Sequence, residues 1–182
     1  QVDFAVSGFQ TLPVGFPVNA KIGVAALEGD NLKTGDDFQF KAASLPAATP
    51  FTKISDAINP VGNFFNETIS NNGVNVADRV PTSTNTMGFD IDNVKVPNPN
   101  NGVIPNGESS ATLRLTTDGD GYGAFVTTFA VDIIEPKIVL TKEVFDNSTP
   151  PKNMGDKDVT LSQQLNYVIG FQNQGNDNAT SF

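Results

Sequence analysis

The residues of this chain best suited to bind a cation lie in an acidic, glycine-rich turn, Asp118-Gly119-Asp120-Gly121-Tyr122-Gly123. Hard cations such as calcium take carboxylate and backbone oxygens from a tightly turning chain. The spacing departs from an EF-hand, because Tyr122 stands at the third ligand position and Phe129 where a bidentate glutamate belongs. A calcium site at Asp118 and Asp120 is therefore one hypothesis, and a plain hairpin turn is the other.

A second acidic turn, Glu28-Gly29-Asp30, is followed closely by Asp36 and Asp37. Asp30 and Asp36 form the second candidate pair for calcium, with the same plain turn as the alternative. If both turns lie at one end of the fold, the hypothesis of a shared calcium site gains support, while the plain turn stays the alternative. Calcium is the single cofactor that the sequence suggests.

A covalent cross-link is a further hypothesis. An intramolecular isopeptide bond needs a buried lysine, an asparagine or aspartate on a late strand, and a nearby acid, and the candidates here are Lys142, Asn178 and Glu143. The alternative is that Lys142, close to the end of a strand, extends its ammonium group into water.

The sequence contains few of the residue types that enzymes use for catalysis. The chain has no His and no Cys, which excludes Ser–His and Cys–His nucleophiles, disulfides and the usual zinc ligands. Paired carboxylates can hydrolyse glycosides without His, yet no pair stands out among the twenty acids, and Trp, a common sugar platform, is absent. We predict that the chain is not an enzyme, and a glycoside-active enzyme is the least favoured class.

The composition restricts the kinds of partner that this chain can bind. The formal net charge of −9 predicts that the chain does not bind nucleic acid, since an acidic surface repels phosphate. With 38% apolar residues and fourteen Phe, the 182-residue chain can bury a core. No stretch reaches the roughly 18 consecutive apolar residues of a membrane span, so no membrane insertion is expected. The chain begins at Gln1 without an initiator Met or leader, which suggests a mature or excised piece of a longer protein.

Alternation with a period of two residues dominates the hydrophobic pattern and predicts strands. Within residues 1–135, four strands have clear inward faces and are separated by turn signals such as Asn72-Gly73 and Asn101-Gly102. The alternation continues at Ile138, Leu140 and Val144, and it is clearest at Leu165, Tyr167, Ile169 and Phe171. The predicted inward faces are Ala20, Ile22, Val24 and Ala26; Phe38, Phe40 and Ala42; Ala111, Leu113 and Leu115; and Phe125, Phe129, Val131 and Ile133. Phe64 and Phe65 are predicted to join the core.

Many short strands with tight turns predict an all-β fold, an antiparallel β-sandwich of Ig-like or jelly-roll-like type, with a β-barrel as the alternative. Residues 44–62, with three prolines, are expected to cross the surface, with one helical turn near Ser55–Ile58. The best boundary is Glu135-Pro136. It predicts a sandwich domain over residues 1–135, and the first strands of a second, incomplete Ig-like sandwich over residues 136–182.

The closing segment GDKDVTLSQQLNYVIGFQNQGNDNAT, residues 155–180, resembles the opening of the Ig-like repeat called domain of unknown function eleven. The likeness rests on an alternating strand, an Asn-x-Gly-Asn turn and a small-residue strand; Ser162 departs from it where a turn Gly is expected. Upstream, residues 26–40, 58–73 and 109–136 resemble the region that precedes such repeats in the giant SprB-like surface adhesins of gliding Bacteroidetes. The matching positions in the closing segment are Tyr167, Ile169, Phe171, Asn173, Gly175, Asn176, Ala179 and Thr180.

The resemblance implies a structural or adhesive module of a long exported protein, extracellular and associated with the outer-membrane surface. It implies adhesion or gliding motility as the role and type IX secretion as the route. The implied partners are neighbouring domains of the same chain, surface polysaccharide or other cell-surface material, and the secretion or motility machinery. A ligand-binding module for calcium or glycan is the alternative. The family supplies no catalytic residues to carry over.

Overall fold

The computed structural model of the protein describes residues 1–119, 121–133 and 135–175. The chain folds into two compact units, Gln1–Ile133 and Ile134–Phe182, and the division falls close to Glu135-Pro136. Among the described residues, no helix is long and apolar enough to cross a membrane. The helical content described is a single 3₁₀ turn, Pro99–Asn101.

The described residues form nine strands in the first unit and two in the second. They are, in chain order, β1 (Val2–Ser7), β2 (Ala20–Leu27), β3 (Asp37–Ala42), β4 (Thr52–Ile54), β5 (Ile69–Asn71), β6 (Val74–Asn75), β7 (Phe89–Lys95), β8 (Ser110–Thr116), β9 (Gly123–Val131), β10 (Ile138–Asp146) and β11 (Leu165–Asn173).

The first unit is a β-sandwich of two sheets, which confirms the predicted all-β class. One sheet has the order β1-β8-β3-β4 and the other the order β6-β5-β7-β2-β9. Nearly every pairing is antiparallel, as predicted for hairpin-rich chains. The exception is β5, which pairs in parallel with β7, so the five-stranded sheet is mixed.

The core between the sheets follows the predicted alternation on β2, β3 and β8. Phe38 and Phe40 on β3 are fully buried, and so are Phe64 and Phe65 from the loop before β5. The rings of Phe38 and Phe64 pack edge to face with centroids 5.4 Å apart, and those of Phe64 and Phe65 lie 5.1 Å apart. Such edge-to-face pairs add to the free energy gained from burying the rings.

Strand β9 departs from the predicted inward face. A β-bulge shifts its pairing with β2 between Ala25 and Ala26, and an extra residue in a strand reverses the side-chain alternation beyond it. Phe125 therefore points outward and is 56% exposed. Ile133 lies beyond the end of β9 and is also exposed. Phe129 does face inward, where it stacks on Phe40 with centroids 5.5 Å apart.

Residues 44–62 contribute a strand and buried residues to the first unit, beyond the predicted surface crossing. Thr52–Ile54 form the edge strand β4, with Ile54 buried, and Asn59 is buried as well. The predicted helical turn near Ser55–Ile58 is absent from this described segment. Asp56 instead accepts hydrogen bonds from the backbone N–H groups of Ile58 and Asn59, an Asx turn that competes with helix formation.

The first and last strands of the sandwich run in the same direction in opposite sheets. Gln1, Val2 and Phe4 line one cavity together with residues 121–124, which lie at the start of β9. Toward the other end, the Phe9 ring contacts the Phe129 ring at 4.6 Å between centroids. The chain therefore enters this unit at one end and leaves it at the opposite end.

The second unit is built on a hairpin in which β10 and β11 pair over nine residues each. Asp146 organises the long connection, because its Oδ1 accepts hydrogen bonds from Ser148 and from the Lys152 N–H. The side chains of Leu140, Tyr167, Ile169 and Phe171 lie on one face of the hairpin and are exposed.

Candidate functional site

The two acidic turns singled out in the sequence lie at the same end of the sandwich. The Asp118 N–H donates to the Gly35 carbonyl at 3.0 Å, which joins the turn after β8 to the turn before β3. Gly35 has a φ of 114°, a conformation that strongly favours glycine. We call this end, where residues 28–36, 62–67 and Asp118 meet, the acidic end.

A polar cleft of about 450 Å³ opens at the acidic end. It combines several charged groups with a glycine-rich wall. Its described lining residues are Leu27, Glu28, Gly29, Asp30, Lys33, Glu67, Met87, Gly88 and Gly121.

Gly29 separates this cleft from a buried carboxyl group. A Cβ at Gly29 would lie 1.9 Å from the Oδ2 of Asp90, so any larger residue would collide with the carboxyl. The Gly29 N–H donates to the Gly88 carbonyl at 3.2 Å, which holds the two glycine-containing turns together. The glycine is required here by close packing.

Strand β7 supplies the unexpected feature of this end. Its inward-facing residues are Asp90 and Asp92, followed by Val94 and Val96, and all four are buried. The two aspartates are 0% and 1% exposed. Buried carboxyl groups are costly unless they are hydrogen-bonded, so their partners decide what they do.

Asp90 anchors the loop that carries the core phenylalanines. Its Oδ1 accepts the backbone N–H groups of Asn66 at 3.0 Å and Thr68 at 3.2 Å. The Oδ1 of Asp36 accepts the Phe65 N–H at 2.8 Å in the same way. These carboxyl oxygens accept backbone N–H groups of a loop that lies outside the strands at these residues.

Asp92 closes a side-chain network deeper in the unit. Its Oδ1 accepts from the Ser70 hydroxyl at 2.7 Å, and the Ser70 oxygen accepts from the Asn59 amide at 2.9 Å. Within the described part of the chain, the Oδ2 atoms of Asp90 and Asp92 are buried without a hydrogen-bond partner. A second oxygen without a partner favours the neutral carboxylic acid over the carboxylate.

Burial is the main cause of the pKa shifts of Asp90 and Asp92. Desolvation raises the pKa of Asp90 to about 6, against the lowering effect of its backbone hydrogen bonds. Desolvation likewise raises the pKa of Asp92 to about 7, opposed by the Ser70 hydrogen bond and reinforced by the negative charges of Asp90 and Asp56. The two groups therefore change charge within the ordinary range of environmental pH.

The predicted calcium ligands are only partly brought together. Asp118 and Asp30 both lie at the acidic end, but the Oδ1 of Asp30 accepts the Leu32 N–H at 2.9 Å in a local turn. Asp36 is fully buried and holds Phe65. Asp120 lies outside the described residues.

Calcium at these turns stays a prediction. The described residues include no group of three or more acidic side chains arranged to hold a metal ion. Calcium titration followed by thermal melting tests it, because an ion that binds only the folded state raises its melting temperature.

The candidates for a cross-link are not assembled in the described part of the chain. Lys142 is exposed on β10, and its Nζ lies 4.7 Å from the centre of the Tyr167 ring, a cation–π contact. Glu143 is its exposed neighbour, and Asn178 lies outside the described residues. The cation–π contact agrees with a lysine whose charged group stays in water.

The buried aspartates were missed by sequence reasoning. The segment FDIDNVKV, residues 89–96, alternates correctly for a strand, but the apolar residues of its first half are Phe89 and Ile91, which suggest the opposite inward face. The signal that could have identified the buried aspartates lies in the second half of this segment. There Val94 and Val96 lie on the same face as Asp90 and Asp92.

Comparison of the chain with protein-family models, with the curated proteins and with solved structures finds no match in any of the three. The site is therefore interpreted from its own geometry, in which the buried carboxyl groups hold a loop and the polar cleft lies beside them.

Proposed function

We propose that this chain is a structural and adhesive module of a long, exported bacterial cell-surface protein, in which it forms part of a multidomain rod. The observation that carries the proposal is the direction of β1 and β9, which run in parallel in opposite sheets, so that the chain enters and leaves the first unit at opposite ends. A unit of this kind passes tension along its own length.

The pairing of the two strands suits that task. β1 pairs with β8 over six residues, and β9 pairs with β2 over eight. The hydrogen bonds of an antiparallel ladder are perpendicular to the strands, so a pull along the strands loads all of them together. Tension between the two ends must therefore break a whole ladder at once.

The composition and the resemblance support the same role. The acidic, cysteine-free chain suits an exported surface protein that does without disulfides, and the likeness of residues 155–180 to Ig-like repeats of surface adhesins points to further domains in series. On this proposal the protein is extracellular and reaches the surface by type IX secretion. Its partners are neighbouring domains, surface polysaccharide and the secretion or motility machinery.

Binding of calcium or a glycan is the second candidate. It is favoured by one observation, that the two acidic turns and the polar cleft lie together at the acidic end. Retention on a glycan array, or a calcium-dependent rise in melting temperature, would support this function beside the mechanical one.

Exposure on the cell surface is the expected result that tests the proposal. Intact cells that produce the protein are treated with a protease too large to enter them, and residues 1–182 are followed with an antibody. We expect the signal to be lost from intact cells and the cells to lose adhesion or gliding. A cytoplasmic protein should survive as the control, and loss of the signal only after lysis would contradict the proposal.

A further inference from the structure

The inward face of β1 is only partly covered by the opposite sheet. Val2, Phe4 and Val6 are the register partners of three buried residues of β8, so they lie on the inward face of their own sheet. Val2 is nevertheless 54% exposed, and Phe4 and Val6 are half-buried. The three partners on β8 are at most 6% exposed. The opposite sheet therefore covers β8 and stops short of β1.

The strand at the margin of that opposite sheet is β9. It is the last strand in the order β6-β5-β7-β2-β9, so within the described residues one of its two edges has no neighbouring strand. β1 is likewise at the margin of the four-stranded sheet. The starts of the two strands line one cavity of about 330 Å³, so both margins lie on the same side of the sandwich. A strand added beside β9 would lie opposite β1 and cover its inward face.

The register of β9 shows which backbone groups face its free edge. The Asp132 N–H donates to the Asn19 carbonyl at 3.2 Å, one step beyond the last register pair of β2 and β9. Hydrogen-bonded and non-hydrogen-bonded pairs alternate along an antiparallel ladder. Counting back from Asp132, Thr128 forms a hydrogen-bonded pair with β2, whereas Thr127 and Phe129 do not. The N–H and carbonyl groups of Thr127 and Phe129 therefore point to the free edge.

The sequence of β9 leaves this edge open to pairing. Natural sheets protect a free edge with charged residues, with proline or with a β-bulge. β9 has no charged residue and no proline over its nine residues. Its bulge lies near its start, at the register shift opposite Ala25 and Ala26, so residues 127–131 continue as a regular, uncharged strand.

The space beside β9 and opposite Val2, Phe4 and Val6 is called the open slot below. It is as long as the six residues of β1, about 20 Å at about 3.3 Å per residue. None of the nine described residues that line its cavity has a charged side chain. At the far end of the slot the ring of Phe9 lies against the ring of Phe129. The slot thus combines an apolar wall with a row of backbone donors and acceptors.

We propose that the open slot binds an extended segment of another polypeptide, which joins the five-stranded sheet as a strand antiparallel to β9. An extended chain supplies backbone groups for the edge of β9, and at every second position a side chain for the apolar wall. Antiparallel pairing is the more stable per residue. The site goes beyond the proposed mechanical role and does not depend on it.

The geometry of the pairing fixes the chemistry of the guest segment. A guest residue directly opposite Thr127 exchanges both backbone hydrogen bonds with it, and directly opposite residues have their side chains on the same face. Thr127 shares the inward face with Phe129, two residues further on. The guest residues whose N–H groups bond to β9 are therefore the ones that face the apolar wall. The guest is a segment with an apolar residue at every second position.

Binding of synthetic peptides to the full 182-residue chain tests the proposal. The probes are five capped peptides of the form Lys-Thr-x-Thr-x-Thr-x-Thr-Lys, in which x is alanine, valine, leucine, isoleucine or phenylalanine. Fluorescence anisotropy of the labelled peptides measures the affinity. We expect at least one peptide to bind with a stoichiometry of one and a dissociation constant between about 10 µM and about 1 mM.

Methylation of the peptide nitrogens separates strand pairing from general apolar adhesion. In the best-binding peptide, N-methylation at the x positions should raise the dissociation constant at least about tenfold, because it removes the hydrogen bonds to β9. N-methylation at the threonines should change it less than about threefold, because those N–H groups point away from β9. With saturating peptide, hydrogen exchange of the Thr127 amide should slow at least about tenfold. The neighbouring amide of Thr128, already bonded to β2, should be unchanged.

Variants of the chain locate the binding in the slot. Thr127→Pro removes an N–H group on the free side of an edge strand, where proline is tolerated, and should raise the dissociation constant at least about fivefold. Val2→Ser should raise it at least about threefold through the lost apolar contact. The matched control Ala5→Ser lies on the outward face of β1 and should leave it unchanged. The melting temperature of each variant checks its folding.

Three results would each overturn the proposal. They are no binding by any of the five peptides up to about 2 mM, equal binding of the two N-methylated forms, and unchanged exchange of the Thr127 amide with bound peptide. The last two are measured on the unchanged protein, so they decide the matter even if a variant fails to fold.

Discussion

At pH 8, the Asp92→Asn variant is expected to have a free energy of unfolding higher than that of the unchanged protein, by up to about 4 kcal/mol. Asp92 is buried, and desolvation raises its pKa to about 7 from the ordinary value of 3.8. Above pH 7 the folded state must therefore hold a buried charge that the unfolded state places in water. An asparagine has nearly the same shape and keeps an oxygen for the Ser70 hydroxyl without carrying that charge.

The pH dependence has a definite sign. A carboxyl group with a raised pKa in the folded state contributes stability that is fully present below its unfolded pKa and is lost as the pH rises through its folded pKa. For Asp92, and for Asp90 with a pKa of about 6, that loss falls between about pH 4 and about pH 7. We therefore expect the stability of the first unit to decrease over this range.

Other carboxyl groups set the lower limit of the optimum. Burial alone would raise the pKa of Glu108, but the hydrogen bonds it accepts from Ser44, Ser109 and Ser110 outweigh burial and lower that pKa. The stability due to these bonds is present above the ordinary pKa of 4.5 and is lost as the pH falls through the lowered value. The stability maximum should lie between these two regimes, near pH 4 to 5 on this reasoning.

Urea unfolding at half-unit steps from pH 4 to pH 8 measures these effects. The variant Asp92→Asn should flatten the curve above pH 5, and Asp90→Asn should do so in part, because desolvation raises the pKa of Asp90 less, to about 6. The control Asp3→Asn changes an acid whose pKa the Arg114 hydrogen bond lowers, and should leave the slope above pH 5 unchanged. A free energy of unfolding that rises steadily from pH 4 to pH 8 would contradict the claim that Asp90 and Asp92 are buried in their neutral form.

Replacing Phe38 by alanine is expected to cost about 3 to 5 kcal/mol of stability, the usual range for a buried phenylalanine. The Phe38 ring is 1% exposed and contacts the rings of both Phe64 and Phe65. Its loss leaves a cavity at the place where the loop before β5 packs against the sheet. The cost is comparable to the whole stability of many domains.

The matched control for this prediction is Phe125→Ala. The two residues were predicted to be equivalent core positions, but Phe125 is 56% exposed because of the bulge in β9. Its removal should cost no more than about 1 kcal/mol. Both values follow from urea unfolding of the two variants and of the unchanged protein. Equal losses of stability for the two variants would contradict the position of the β-bulge that turns Phe125 outward.

Sequence reasoning succeeded where the alternation had one clear interpretation. Strands β2, β3 and β8 carry small or large apolar residues at every second position, and those residues are buried. It failed at β9, since a bulge adds one residue without any signal in the local pattern, and the inward face changes at that point. The mixed sheet could not be predicted from the sequence either, because the parallel pairing of β5 with β7 joins segments that are distant in the chain.

The candidate site could be predicted only in outline. The acidic turns were recognised from their composition, and they do meet at one end of the sandwich. The buried carboxyl groups of β7 were missed, because burial of an acid depends on a loop that brings Asn59, Asn66 and Phe65 from elsewhere in the chain. Local propensity cannot report such a partner, and the isolated pattern Phe-Asp-Ile-Asp favours the apolar residues as the inner face.

The resistance of the first unit to force in two directions tests the proposed mechanical role most directly. The chain has no cysteine, so a pair of introduced cysteines gives defined points of attachment. Gln1→Cys with Ile133→Cys applies force along β1 and β9, whereas Lys21→Cys with Ala130→Cys pulls apart two register partners on β2 and β9. Forced unfolding reports the unfolding rate in each direction.

A force along the strands loads a complete ladder, while a force across register partners opens one hydrogen-bonded pair after another. We therefore expect the pair at positions 1 and 133 to unfold at a force several times higher than the pair at positions 21 and 130, measured at the same loading rate. Thermal melting of both variants without force should be the same. An equal or lower force along the strands would contradict the proposal that this sandwich carries tension from end to end.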